Sequence, residues 1–206
     1  MARYTFFSFN YDDVKNFKVN VVRNSWLINH AEETFVDGSI WEKEKSKGVA
    51  VIKNLINEGL KGTSVTAVLI GDDTANSRWV KYEIVKSFER GNGLLGININ
   101  RIRGTHQAIS AKGINPLDKL AFHITDDGKK IHFFELINRK WVVFSDLPEI
   151  NNKKSNTLHF ESGWLSNDFG KTYRFSDKFE TYCWTRDEGH GNFSSWIDDA
   201  AEQAGR

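Results

Sequence analysis

The feature that most constrains the fold is an alternation of two hydrophobic periods across the first hundred residues. Short runs that are apolar or β-branched at nearly every position read as strands buried on both faces. These are "YTFFSF" (Tyr4–Phe9), "SVTAVLIG" (Ser64–Gly71) and "LLGININ" (Leu94–Asn100), and "TFVDGSIW" (Thr34–Trp41) reads as a further strand that runs into a loop at Asp37-Gly38. Between them the apolar residues recur at helical spacing. Val14, Phe17, Val21 and Ile28, with Val22 and Trp26 beside them, form the first such stretch, which Asp12 or Asp13 can cap. "VAVIKNLINEGL" (Val49–Leu60) forms the second, with Gly59 near its end. Val80, Ile84 and Phe88 form the third, which stops at "RGNG".

Strand and helix repeated in this way imply parallel strands joined by helical crossovers, an α/β sheet with helices on both faces. The length fits a flavodoxin-like order with strand one in the middle. Ligands of such sheets bind at the carboxyl ends of the strands. The loops after Phe9, Trp41 and Gly71 are therefore expected around one crevice.

Beyond about residue 103 the pattern changes. "FHITDDGKKIHFFELINRKWVVF" (Phe122–Phe144) reads as a β-meander, with Asp127-Gly128 as one turn and "NRK" as the next. "TYRFSDKFETYCWT" (Thr172–Thr185) is strand-like, and "NFSSWIDDAAEQA" (Asn192–Ala204) reads as a terminal helix. The polar stretch "EINNKKSN" (Glu149–Asn156) reads as a mobile loop. The expected organisation is an α/β domain over 1–103 and a β-rich C-terminal extension over 104–206 packed on it.

Composition excludes several classes. The 206 residues carry a formal net charge of +1, so bulk charge is not built to hold a nucleic-acid backbone. No apolar run reaches the roughly 18 residues of a membrane span, and the start lacks the pattern of a signal peptide. A cytoplasmic protein is expected. The one cysteine, Cys183, makes neither an internal disulfide nor a zinc site alone. His30, His106, His123, His132, His159 and His190 show no metal-ligand spacing, and no metal is expected. His123 and His132 are placed to face each other across a hairpin.

One short stretch carries the functional question. In "SRWVKYEI" (Ser77–Ile84), Trp79 and Glu83 lie four residues apart, on the flank of the stripe formed by Val80, Ile84 and Phe88. Trp79 sits near the start of the helix and so near the strand ends. Spacing leaves Glu83 two roles: a solvated charge paired with Lys81 or Lys86, or a carboxylate facing a cleft.

Three segments, in order and in register, resemble TIR domains. "TFFSFNYDD" (Thr5–Asp13) resembles their opening strand and acidic helix start, and "LKGTSVTAVLIG" (Leu60–Gly71) a later strand. "SRWVKYEI" resembles the motif Ser-x-Trp-Cys-x-x-Glu-Leu, with Ser77, Trp79 and Glu83 matched and Val80 in place of the usual Cys. "SVTAVLIG…SRWVKYEI…GNGLLGININ" is most similar to the bacterial TIR-like branch of the Thoeris anti-phage defence system. "KGINP" (Lys112–Pro116) and "GNFSSW" (Gly191–Trp196) extend that resemblance over most of the chain. The loop "WEKEKSKG" (Trp41–Gly48) departs from the usual TIR loop.

The resemblance implies an enzyme that cleaves NAD, its substrate and not a resident cofactor, at the nicotinamide–ribose bond. It implies further that the enzyme makes a cyclic ADP-ribose isomer as an immune signal for a partner effector. A phage component is the implied trigger, and self-association the implied mode of assembly. Glu83 is then the catalytic carboxylate. Ser8, Phe9, Asn10, Tyr11, Asp37, Trp41 and Trp79 are the candidate substrate-binding residues. Phe7 reads as core, whereas Phe9, Asn10 and Tyr11 come where strand gives way to loop. Ser8 and Asp37 read equally as turn formers. A non-enzymatic TIR adaptor and a plain NAD hydrolase are the alternatives. In the adaptor Glu83 is dispensable; the hydrolase differs from the cyclase in its product.

Overall fold

The apolar runs of the first half pair side by side as parallel strands. The computed structural model describes residues 4–11, 13, 17–29, 36–37, 48–104, 107–152 and 168–206. In chain order its regular elements begin with β1 (Thr5–Phe9), α1 (Lys18–Asn29), β2 (Val36–Asp37), α2 (Val49–Gly59), β3 (Val65–Ile70), α3 (Arg78–Arg90) and β4 (Gly93–Asn98). They continue with β5 (Leu120–Ile124), β6 (Lys130–Ile137), β7 (Lys140–Val143), β8 (Glu149–Asn151), β9 (Thr172–Arg174), β10 (Thr181–Cys183) and α4 (Gly189–Gln203).

The first sheet has the order β10-β4-β3-β1-β2 and is parallel throughout. Read from β2, this is the flavodoxin-like order. β3 takes the centre, and β1 lies beside it, between β3 and β2. The register runs from Thr5 opposite Val65 to Phe9 opposite Leu69, and from Val65 opposite Gly93 to Ile70 opposite Asn98.

Side chains alternate across β1, as on any strand. Phe6 belongs to the apolar cluster that also holds Ile52, Ile56 and Leu60 of the α2 segment and Val80, Ile84 and Phe88 of α3. Phe7 and Phe9 belong to the opposite cluster, with Val19, Val22 and Trp26 of α1 and Phe193, Trp196 and Ile197 of α4. The α4 backbone rides directly on β4. A side chain at Gly93 would fall 2.2 Å from the Ala200 carbonyl oxygen. Phe17, expected on the first helical stripe, stands just before α1 with φ +59° and is 57% exposed. Val14 and the side chain of Ile28 lie outside the described residues.

The parallel sheet is not completed within residues 1–103. Its fifth strand, β10, and the helix that covers β4 both come from beyond residue 180. β4 is buried along its whole length, so it needs a hydrogen-bonding neighbour on each side. Thr181 opposite Gly96 and Cys183 opposite Asn98 supply the outer one. The strand-like stretch 172–185 is thus shared between two sheets, with a 3-10 turn at Phe175–Asp177 in between.

The second sheet is the expected meander, antiparallel, in the order β7-β6-β5-β9 with β8 also on β6. Gly128 (φ +66°) turns the first hairpin. Asn138 (φ +49°) and Arg139 (φ +64°) turn the second, the positive pair of a type I′ turn. His123 stands opposite His132. Of the polar stretch that begins at Glu149, residues 149–151 form β8, and 153–156 lie outside the described residues.

This sheet stacks on α3 from the far side. The Phe88 ring lies 4.8 Å from that of Phe122, 5.3 Å from Phe175, 5.6 Å from Phe133 and 6.2 Å from Phe179. α3 is therefore a middle layer between two sheets. Trp79, Val80, Tyr82, Glu83, Ile84, Val85, Ser87 and Phe88 are all buried, far more than one helical face.

Ion pairs fix the same helix to the C-terminal half. Lys81 donates to Glu135 of β6 at 2.5 Å. Arg78 grips Asp146 with two bonds, 2.8 Å from Nε and 2.7 Å from Nη2, and Lys53 of α2 reaches the same carboxylate at 3.0 Å. The Arg78 guanidinium, then Lys53, hold the Asp146 carboxyl below the usual carboxylate range, against the opposing pull of burial. A carboxyl with a lowered folded pKa stabilises above its unfolded value and loses that stabilisation as pH falls through the folded value. Asp146→Asn is therefore expected to lower the melting temperature at pH 7. The gap to wild type should close as pH drops below about 4, the unfolded carboxylate value. Thermal unfolding from pH 7 to pH 3 reads it.

Candidate active site

The carboxyl end of β1 and the second turn of α3 bring one carboxylate and one hydroxyl together. Ser77 caps α3, its Oγ accepting from the Val80 amide at 3.4 Å. Glu83 follows two turns on from the cap and projects at β1. The Ser8 hydroxyl donates to Glu83 Oε2 at 2.5 Å, and both residues are 0% exposed. One helical turn further, Ser87 shares a 2.7 Å hydrogen bond with Thr66 of β3. The flank that carries Glu83 and Ser87 is thus a buried polar seam between helix and sheet, with Trp79 on its N-terminal side.

That placement overturns the solvated reading of Glu83. Lys81 is engaged by Glu135 and Lys86 by Glu89. A buried carboxylate needs hydrogen-bond donors to offset lost hydration, and Ser8 is one of them. Ser8→Ala takes that donor away, and we expect it to lower unfolding free energy by about 1–3 kcal/mol. Urea denaturation measures this.

The rim of the seam is built from two loops. The Thr74 hydroxyl accepts from the Gly71 amide at 2.8 Å and donates to Asp13 Oδ2 at 3.2 Å. The Asp13 amide closes a turn onto the Asn10 carbonyl at 3.0 Å. Gly71 has to be glycine, because a Cβ there would fall 1.9 Å from Asp13 Oδ1. This ties the loop after β1 to the loop after β3 and sets Asn10, half-buried, and Tyr11, 39% exposed, above the strand end. Trp79, one turn before Glu83, is 9% exposed and packs edge-on against Tyr82 at 6.4 Å. The Arg78 guanidinium lies 4.9 Å over its ring.

The predicted residues divide accordingly. Ser8 and Glu83 meet, Trp79 flanks them, and Asn10 and Tyr11 follow directly. Phe9 does not join them: it has the same parity as Phe7 and is buried on the opposite face of the sheet. Asp37 ends β2, in register with Phe7, and its side chain lies outside the described residues, as does Trp41. Sequence reasoning missed the Asp13–Thr74 link and the Asp146 clamp. Asp146 acts on Arg78 across 68 positions, and no local spacing signals it.

Among the described residues no group of three metal-ligating side chains gathers, and no helix is long and apolar enough to cross a membrane.

Comparison with known proteins adds two findings. The family model described as the TIR-like domain of the Thoeris protein ThsB matches residues 6–103. A curated protein of Bacillus cereus (strain MSX-D12), named "Putative cyclic ADP-D-ribose synthase ThsB1", is 42% identical over 201 residues. The match covers 96% of this chain and 100% of that protein.

Proposed function

Because the chain belongs to the TIR-like family of the Thoeris protein ThsB, we propose that it is a signalling enzyme with NAD as its substrate. It cleaves the nicotinamide–ribose bond and closes the remainder into a cyclic ADP-ribose isomer, with Glu83 as the catalytic carboxylate. The observation that carries this reading is the Ser8–Glu83 pair, sequestered at a strand end in a chain that matches, over 96% of its length, a protein named "Putative cyclic ADP-D-ribose synthase ThsB1".

One carboxylate suffices for the cleavage. A glycosidase needs a second group to protonate its leaving oxygen. Nicotinamide leaves NAD from a pyridinium and departs neutral, so no general acid is required. What the reaction needs is negative charge held beside a ribose that becomes oxocarbenium-like. Ring closure then needs water excluded and an internal nucleophile kept near the ribose carbon. Trp79 walls the seam, and Asn10 and Tyr11 stand where substrate enters. Asp37 and Trp41 remain candidate contacts from the second strand and its loop.

Glu83 is fully enclosed in this state. Substrate reaches it only after neighbouring segments shift, which suits an enzyme idle until a phage-derived trigger or self-association completes the site. The cyclic product diffuses to a separate effector.

The test is NAD consumption with nicotinamide release in lysates of phage-infected cells expressing wild type or Glu83→Gln. Release with wild type and none above background with the variant supports the reading. Equal release, or none from either under phages that the protein restricts, returns the chain to a TIR adaptor.

A further inference from the structure

A pocket opens on the face of the parallel sheet opposite Glu83, where β4 and β10 end. Its volume is about 580 Å³, and Val21, Ile102, Trp184, Arg101, Arg103 and His190 are among the residues that line it. Arg101 and Arg103 are exposed, and neither guanidinium is held by a hydrogen bond or ion pair among the described residues. Trp184 is 3% exposed, and its indole N–H has no acceptor among the described residues. His190 is oriented by Ser25 at 3.2 Å.

Charge in the pocket is lopsided. Among the described residues that line it, Glu188 is the one carboxylate, against Arg101 and Arg103, and His190 lies at the start of the fifteen-residue helix α4. The first amides of α4 are spent internally, Gly189 on the Trp184 carbonyl at 2.7 Å and Gly191 on Glu188 at 2.9 Å. Binding strength must therefore come from the arginine forks, which suit phosphate oxygens. The volume exceeds what phosphate alone would fill and falls in the range of small-molecule sites. The apolar wall of Val21, Ile102 and Trp184 accounts for the rest.

We propose that this pocket binds a nucleotide through its phosphates, as a site separate from the Glu83 seam. The assignment is independent of the reaction proposed for Glu83. The two sites lie on opposite faces of the sheet, so occupancy here has a route to that seam only through the strands between them.

The probe is ADP, titrated at constant ionic strength into the ¹⁵N-labelled full chain. The readout is the Trp184 indole resonance, assigned by its loss in Trp184→Phe. A saturable shift is expected in wild type and in Glu83→Gln. In the Arg101→Ala/Arg103→Ala double variant, whose substitutions are both at exposed positions, binding should weaken at least tenfold. Adenosine should leave the resonance in place. If ADP does not move the Trp184 signal, or if the double variant or adenosine matches wild type with ADP, the assignment is overturned.

Discussion

Glu83→Gln is expected to lower nicotinamide release from NAD by roughly 10²–10³-fold, a loss of about 3–4 kcal/mol of transition-state stabilisation, while leaving the chain folded. The substitution is nearly isosteric in a site with no solvent access. The amide oxygen still accepts from the Ser8 hydroxyl, so the 2.5 Å contact has a neutral substitute. What disappears is the negative charge beside the ribose. Glu83→Ala, by contrast, removes the acceptor, strands the Ser8 hydroxyl and leaves a void, so it should lose stability as well as rate. A Gln variant with wild-type melting temperature and lost turnover assigns Glu83 to chemistry. A Gln variant with unchanged turnover makes the buried pair purely structural.

Phe88→Ala is expected to cost about 3–5 kcal/mol, much of the stability of a domain this size. Phe88 is the point where α3 locks onto the antiparallel sheet, with Phe122, Phe133, Phe175 and Phe179 around it at 4.8 to 6.2 Å. Those partners come from β5, β6, the 3-10 turn after β9 and the segment leading into β10. They do not move together to fill a void. Chemical denaturation measures the cost. A change below about 1.5 kcal/mol, the range of a well-tolerated core swap, would mean that the two sheets are not coupled through this ring. The same contact fixes the far end of the helix that holds Glu83. Activity at temperatures near the lowered midpoint should therefore fall with folded fraction.

The strand–helix alternation of the first half was legible because β1, β3 and β4 are buried along their whole length and read as nearly unbroken apolar runs. The meander was legible because Asp127-Gly128 and "NRK" mark its turns. The strand character of Thr172–Thr185 was read, but the place of β10 in the parallel sheet was not, because three residues carry no period of their own and the partner β4 lies some 85 positions earlier. The solvated reading of Glu83 rested on a helix with one buried stripe and one wet side. α3 has a sheet on each side, so its flank is interior. Phe9 was misplaced by giving the strand end more weight than strand parity, which sends it to the α1 and α4 face with Phe7. The Trp79–Glu83 spacing was visible in sequence. That Ser8 would meet Glu83 required knowing that β1 lies under α3, which only the sheet order supplies.

The most direct test of the central claim is the identity of the ADP-ribose species in phage-infected cells, read by liquid chromatography and mass spectrometry. The proposed reaction predicts a cyclic ADP-ribose isomer, lighter than linear ADP-ribose by one water, present with wild type and absent with Glu83→Gln. Linear ADP-ribose alone would contradict it and identify a hydrolase that depletes NAD.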